Sequence, residues 1–176
     1  MKILLRILLG LVVLFGLLFV IGLFLPDHSH VERSIVIDAP QTRVYELVNQ
    51  LPAWHKWSAW HAMEPTAEYA YSDPPSGTNS WYTWKGEKIG EGKMTIVKAE
   101  PFERIDAEME FVGQGEAEAD FVFESTPDGQ TKVTWMFDSD HAGSLDRWFG
   151  VMMDRMLGPD YEKGLAKLKT VAESDG

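Results

Sequence analysis

The sequence predicts an α+β fold in which a curved, seven-stranded antiparallel sheet packs on one long C-terminal helix, preceded by a transmembrane helix. Three observations support this prediction. Residues 7–25 are continuously apolar, residues 105–111 and 116–124 alternate between apolar and mostly acidic side chains, and residues 144–172 carry an apolar stripe. Alternation with period two is typical of strands that have one wet face, and spacings of three and four are typical of amphipathic helices.

Residues 3–25 are predicted to form a membrane anchor. Their apolar core, Ile7–Leu25, contains no charged residue, and as a helix it would be about 28 Å long, close to the thickness of a bilayer's hydrocarbon core. The alternative is a cleaved signal peptide. Against it, the apolar run is longer than the roughly 7–15 residues usual there, and Leu25-Pro26-Asp27 offers no small-residue cleavage site.

The basic residues near the anchor predict its orientation. Lys2 and Arg6 precede the apolar run, and no basic residue follows it until Arg33. Because positive charge favours the cytoplasmic side, the sequence predicts a single-pass protein of the cell membrane. Its amino terminus would be cytoplasmic, and its folded domain would lie on the far side.

Residues 26–30 are predicted to form a polar linker, and residues 31–173 the folded domain. Two linker histidines, His28 and His30, lack a third ligand nearby, so no metal site is predicted. Apolar patterns bounded by turn residues predict strands at 31–38, 68–71, 80–84, 92–99, 105–111, 116–124 and 131–137.

Three helices complete the predicted domain. Two short helices, 41–49 and 53–63, follow the first strand, and a long helix runs from Ser144, a candidate N-cap, to about residue 172. Proline removes a backbone donor from a helix, so Gly158-Pro159 should kink or briefly break the long one.

Composition excludes several classes of function. The net charge is −11 over the whole chain, and the two basic residues of the anchor leave −13 for the remainder. Such an acidic domain is repelled by nucleic acid. The chain has no cysteine, which excludes disulfides and thiolate metal sites. No hydrolase, nucleotide-binding or zinc-protease motif is present, so no cofactor is predicted.

The predicted sheet and helix leave a space between them, because a strongly curved sheet is wider than one helix can cover. Protein interiors are densely packed, so we expect a small hydrophobic ligand to fill it. The predicted ligand-binding residues are Trp54, Trp57, Trp60, Trp81, Trp84, Met109, Phe111, Phe121, Phe123, Trp135, Phe137, Met152 and Met156. The tryptophans would form an aromatic gate, and the methionines an adaptable wall; the alternative for each is ordinary core packing.

Catalysis in this space would need a polar group inside it. The candidate acids and bases in the sequence are Asp38, Tyr45, His61, Tyr71, Tyr82 and Glu91. A carboxyl or tyrosine hydroxyl in an apolar setting has a raised pKa and can exchange protons with a substrate. No combination of these residues forms a recognisable catalytic motif, so the catalytic residues remain unassigned.

Four segments carry a resemblance to a known family: RSIVIDAP with VYELVN at 33–49, LPAWHKWSAW at 51–60, IGEGKMTI at 89–96 and GPDYEKGLAKLK at 158–169. With them, residues 31–173 resemble the START-like, or helix-grip, superfamily (SRPBCC), which includes polyketide cyclase and dehydrase-like proteins and lipid-transfer domains. The resemblance implies the helix-grip fold but no universal catalytic motif. Three hypotheses follow: a membrane-anchored protein that binds a lipid, isoprenoid or polyketide-like ligand; a cyclase or dehydrase-like enzyme; and a ligand-sensing accessory protein with an unknown protein partner.

Overall fold

A computed structural model describes residues 2–174. Its helices are α1 (Lys2–Gly22), α2 (Gln41–Asn49), a 3-10 helix (Leu51–Lys56), α3 (Ala59–Met63) and α4 (Asp146–Ser174). Its strands are β1 (His28–Ile37), β2 (Glu68–Tyr71), β3 (Trp81–Lys85), β4 (Glu91–Glu100), β5 (Arg104–Phe111), β6 (Gly115–Ser125) and β7 (Thr131–Asp140). The predicted α+β class, its element order and its seven strands are confirmed.

The seven strands form one antiparallel sheet in the order β1-β7-β6-β5-β4-β3-β2. The first strand therefore returns to pair with the last, and β2 forms the opposite edge. Helix α4 packs chiefly on β1 and also contacts α2 and α3. The layered arrangement is thus one sheet with its inner face covered by α4 and the short helices.

Alternation in the strands determines which face of the sheet is buried, as predicted. In β6, Ala117, Ala119, Phe121 and Phe123 are buried, and the acidic residues between them lie on the outer face. Arg104 offsets part of that acidity by donating to Asp120 at 2.6 Å across neighbouring strands. The inner face therefore supplies the core, and most of the negative charge lies on the surface.

Arg33 attaches α4 to the sheet. Its guanidinium bonds to Asp154 and Glu162 of α4, both at 2.8 Å. A side chain at Gly158 would place its Cβ 2.1 Å from this guanidinium, so any larger residue there would require the flexible Arg33 side chain to shift. The helix continues through Pro159, and the predicted break does not occur.

Three other boundaries differ from the predictions. Strand β1 begins at His28 because β7 extends to Asp140 and pairs with it; residues 28–30 therefore lie in the sheet rather than in the linker. The predicted helix 53–63 is interrupted at Ser58, whose backbone is extended. Ser144 precedes α4 without capping it, since its hydroxyl donates to the carbonyl of Phe19.

Helix α1 lies outside the domain core. Among residues 2–174 it is the one helix long and apolar enough to cross a membrane, and its apolar window is not buried by the rest of the chain. Length and composition alone do not separate a membrane span from a signal sequence. At its C-terminal end, Gly22 is buried against Ser144.

Candidate functional site

A cavity of about 90 Å³ lies between the inner face of the sheet and helices α3 and α4. Most of its wall is aromatic or aliphatic, and every strand except β1 contributes to it. The lining residues are Trp54, Trp60, His61, Tyr69, Tyr82, Trp84, Ile89, Met94, Met109, Phe111, Ala119, Trp135, Phe137, Leu157 and Tyr161.

Stacked aromatic rings fill most of the remaining interior. Trp135 of β7 lies between Tyr161 and Phe121, with ring centroids 3.8 and 4.9 Å away. A Cβ at Gly164 would come within 3.1 Å of the Trp135 ring, so this glycine allows α4 to approach so closely. The space expected between sheet and helix is thus much reduced by the protein's own side chains.

Two tryptophans of the 3-10 segment are fixed by hydrogen bonds. The indole N–H of Trp54 donates to the carbonyl of Val48 at 2.7 Å, and that of Trp57 donates to the carbonyl of Leu47 at 3.0 Å. Both carbonyls belong to the last turn of α2, where helical carbonyls lack intrahelical partners. These two rings are therefore held in place where the interior meets α2, a region that we call the packed end, and Trp54 also borders the cavity.

Around the cavity, in the region that we call the cavity end, three lining residues carry polar atoms that are buried without a hydrogen-bond partner among residues 2–174. They are both ring nitrogens of His61, the hydroxyl of Tyr69 and the indole N–H of Trp135. A buried polar group left unpaired costs about 1–3 kcal/mol. Such groups on a cavity wall are suited to a ligand that supplies the missing partners.

His61 and Tyr69 form a stacked pair, with ring centroids 4.0 Å apart and planes 10° from parallel. Burial, with a smaller contribution from His55, lowers the pKa of His61 to about 4. Burial also raises the pKa of Tyr69. Both side chains are therefore neutral near pH 7, when the imidazole has one donor and one acceptor nitrogen and the phenol is a donor.

A carboxylate holds the β3–β4 loop beside this pair. Glu64 accepts hydrogen bonds from the backbone amides of Glu87, Lys88 and Ile89 at 2.9, 2.9 and 3.2 Å. These bonds lower the pKa of Glu64. Because Ile89 lines the cavity, Glu64 positions part of the cavity wall.

The structure brings seven of the thirteen predicted ligand-binding residues to the cavity: Trp54, Trp60, Trp84, Met109, Phe111, Trp135 and Phe137. Trp57, Phe121 and Phe123 are buried in the core and are not among the lining residues. Trp81 lies on the opposite face of β3 from Trp84, as its alternation requires. Met152 and Met156 are 52% and 55% exposed on α4, so they do not contact the cavity.

Of the candidate polar residues, His61 and Tyr82 reach the cavity. Tyr45 instead packs against Phe102 and Phe123. Glu91 pairs with Lys85 at the surface, and Tyr71 and Asp38 also lie outside the lining. Within residues 2–174, no three histidine or acidic side chains come close enough together to hold a metal ion.

Sequence reasoning missed other lining residues, among them Tyr69, Met94, Leu157 and Tyr161. Tyr161 had a detectable signal, because it belongs to the apolar stripe of the predicted long helix. Tyr69 had none, since its importance comes from stacking on His61 across a loop. Its position depends on tertiary contacts rather than on a local pattern.

A family model described as polyketide cyclase / dehydrase and lipid transport matches residues 28–173. The chain belongs to this family. The family comprises SRPBCC proteins, and the match begins at His28, where β1 begins in the structure. The resemblance seen in the sequence is confirmed. No match was found among curated protein sequences.

Solved structures of similar fold include two proteins associated with biosynthetic pathways. DynU16, from the dynemicin biosynthetic locus, is 17% identical with a TM-score of 0.58 over 85% of this chain and 49% of its own. The di-domain ARO/CYC protein BexL, from the BE-7585A pathway, is 19% identical with a TM-score of 0.59 over 80% of this chain and 45% of its own. This chain thus spans about half the length of each.

A third similar structure is the hypothetical protein jhp0584 from Helicobacter pylori. It is 8% identical, with a TM-score of 0.64 over 82% of this chain and 88% of its own. At such low identities these likenesses establish the fold of the family member described here and nothing about its ligand.

Proposed function

We propose that this family member is a membrane-anchored binding protein for a small apolar ligand that carries a hydrogen-bonding group. The observation on which the proposal rests is the cavity end of the interior, where an aromatic wall contains unpaired buried polar atoms. The indole N–H of Trp135 can only donate, so the ligand would present an acceptor such as a carbonyl, ether or hydroxyl oxygen. The family description, which includes lipid transport, supports this class of ligand.

The size of the cavity limits what enters without a change of shape. Its volume of about 90 Å³ is below the roughly 300–1,000 Å³ of pockets that enclose drug-sized ligands. A larger ligand requires the half-buried part of the wall, Trp60, Met109 and Leu157, to move outward. The methionine side chain adapts readily to such changes, whereas Trp54 is held by its hydrogen bond to Val48.

Helix α1 is proposed to hold the domain at a membrane. It is long enough to cross a bilayer, and it is exposed along most of its length, with contacts to the domain near its C-terminal end. The basic residues Lys2 and Arg6 at its start favour a cytoplasmic amino terminus. A ligand that partitions into lipid would then be available close to the domain.

The binding proposal is tested by identifying what co-purifies with the full-length chain. Organic extraction of the detergent-purified protein, followed by mass spectrometry, should reveal a defined apolar compound. Ala119 lines the cavity, so Ala119→Leu fills it and should abolish the compound. The matched control Ala166→Leu lies on the exposed side of α4 and should retain it. Equal amounts from both variants, or none from the natural chain, would contradict the proposal.

A second function, that of a cyclase or dehydrase-like enzyme, is favoured by the His61–Tyr69 pair. The neutral imidazole can accept a proton, and the phenol can donate one or stabilise a developing oxyanion. Both groups border the cavity, so a bound chain with a carbonyl could meet both.

The two functions differ in what the protein releases when this pair is altered. A binding protein should release the same compound from the natural chain and from Tyr69→Phe, although in a smaller amount. An enzyme should accumulate its substrate in the variant, so that the released compound changes in mass, for a dehydrase by one water. An unchanged mass in both Tyr69→Phe and His61→Gln would exclude the enzymatic alternative.

A further inference from the structure

The N-terminal half of α4 exposes an apolar stripe to the surroundings of the domain. Four large apolar side chains are more than half exposed there: Leu145, just before the helix (55%), Phe149 (62%), Met152 (52%) and Met156 (55%). Their spacings of four, three and four place them on one side of the helix. The second half of the same helix instead buries its apolar residues against the sheet.

This half of α4 lies directly against the C-terminal end of α1. Trp148 donates from its indole N–H to the carbonyl of Leu18 at 3.1 Å, and Ser144 donates to the carbonyl of Phe19 at 3.0 Å. Gly22 permits this approach, since a Cβ there would come within 2.2 Å of the Ser144 carbonyl oxygen.

Arg147 continues the contact beyond the helix end. Its guanidinium donates to the carbonyls of Leu23 and Leu25 at 3.1 and 3.2 Å. Carbonyls at the end of a helix lack intrahelical partners, and leaving them unpaired in lipid is costly. The domain therefore supplies hydrogen bonds to α1 where the proposed span ends, and a cation there also complements the helix dipole.

The contact fixes the depth of α4 relative to the proposed span. Leu18 is four residues before the last residue of α1, about 6 Å along its axis. Amphipathic helices at a membrane surface bury their apolar faces about 5–10 Å into the headgroup and acyl boundary. Trp148 and Arg147 are also residue types common at that boundary.

The cavity lies at the same end of the domain. Asp27, which precedes β1, accepts a backbone bond from His141, which follows β7. At that end of the sheet β5 finishes at Phe111, which faces Gly115 at the start of β6. Phe111 lines the cavity, as do Trp84 and Tyr69 near the adjoining strand ends, and Leu157 on α4.

The N-terminal half of α4 carries no net charge of its own. From residue 144 to 157, Arg147 and Arg155 balance Asp146 and Asp154. This contrasts with the strong negative charge of the domain as a whole. A zwitterionic lipid surface therefore meets no net repulsion at this stripe.

We propose that the N-terminal half of α4 lies in the headgroup and acyl boundary of the leaflet from which α1 emerges, placing the cavity end of the domain against the lipid. The proposal rests on the membrane anchoring of α1 proposed above. It implies that a ligand exchanges between the bilayer and the cavity across the half-buried wall, without crossing bulk water.

Site-directed spin labelling tests this arrangement, because a chain without cysteine can be labelled at one position at a time. Phe149→Cys, Met152→Cys and Met156→Cys would be labelled in the full chain in phosphatidylcholine vesicles. The accessibility of each nitroxide to oxygen, which enters lipid, would be compared with that to a water-soluble nickel chelate. Three positions are labelled so that the test still gives a result if one variant does not fold.

Two controls bracket the result. Phe15→Cys lies in the proposed span and is the control for a lipid position. Lys167→Cys is the control for a water position. It is 18 residues after Phe149, which is five helical turns, so it lies on the same side of α4 but about 27 Å along the axis. The stripe positions should resemble Phe15→Cys, oxygen-accessible and chelate-protected, whereas Lys167→Cys should be chelate-accessible. Stripe positions exposed to chelate while Phe15→Cys is protected would overturn the docking but not the anchor.

Two other outcomes are also decisive. If Phe15→Cys is itself exposed to chelate, the anchor fails and the docking fails with it. The spectrum of the label at Met152→Cys could also show dipolar broadening that disappears when unlabelled protein is added. This would show that a second copy of the chain covers the stripe, and it would overturn the lipid contact.

Discussion

The two ends of the domain interior are built from the same residue types but differ in how their polar atoms are satisfied. At the packed end, the indole N–H groups of Trp54 and Trp57 each donate to a carbonyl of α2. At the cavity end, the indole of Trp135 and the side chains of His61 and Tyr69 find no such partner within residues 2–174. The packed end is therefore arranged for stability, and the cavity end retains binding capacity at some cost in stability.

The largest difference should appear when a whole ring is removed from each end. Trp57→Ala removes a fully buried, hydrogen-bonded indole, and we expect the free energy of unfolding to fall by about 3–5 kcal/mol. Trp60→Ala removes a half-buried ring at the cavity end and should cost roughly half as much, because less contact is lost. Denaturant unfolding of the full chain in detergent would measure both. Equal losses would mean that the two ends are packed alike.

The pH dependence of stability should reflect the cavity end through His61. Its pKa is about 4 in the folded protein and 6.5 ordinarily, so between these values the unfolded chain binds a proton that the folded chain does not. Stability from this source is thus fully present above pH 6.5 and is lost as the pH falls toward 4. Because His61 is only partly buried and solvent screens it, we expect a loss of about 1–2 kcal/mol, well below what the whole shift in pKa would give.

His61→Gln is the control for this effect, because it keeps a polar side chain that does not titrate. Subtracting its stability profile from that of the natural chain removes the contribution of the many carboxylates. A difference that stays flat between pH 4 and 6.5 would show that His61 is accessible to water in the folded protein.

Replacing one indole by a phenyl ring at each end isolates the hydrogen bond. Trp57→Phe and Trp135→Phe remove similar volumes, but only the first leaves a buried carbonyl, that of Leu47, without its donor. We expect Trp57→Phe to be the more destabilising by about 1–3 kcal/mol. Trp135→Phe should instead weaken binding of the co-purified compound by up to about tenfold. A reversed order of stabilities would show that the Trp135 N–H has a partner, such as a bound water.

Local pattern was enough to predict the sheet. Ala117, Ala119, Phe121 and Phe123 alternate with acidic residues, and burial follows that alternation in the structure. The same rule, applied to β3, separates Trp81 from Trp84, because residues three apart in a strand face opposite sides. The prediction that both tryptophans line the pocket did not take this alternation into account.

Helical spacing was less informative, because it identifies an apolar face without showing what covers it. The first half of α4 has apolar residues on two sides: Met153 and Leu157 face the core, whereas Met152 and Met156 are exposed. The difference is that the first pair packs against the domain core, which the spacing alone does not show. The His61–Tyr69 pair could not be predicted either, because it joins α3 to β2 across the connection between them and depends on tertiary contacts.

The smallest effect on stability should come from removing the hydroxyl of Tyr69. This oxygen has no hydrogen-bond partner in the described part of the chain, so Tyr69→Phe keeps the ring stacked on His61 and removes only an unsatisfied group. The free energy of unfolding should stay within about 0.5 kcal/mol of the natural value or rise, because deleting an unpaired buried group does not lose a bond. Thermal and denaturant unfolding without ligand would measure it. A loss of more than about 1 kcal/mol would show that the hydroxyl is already paired in the empty protein, and the cavity end would then differ from the packed end in shape alone.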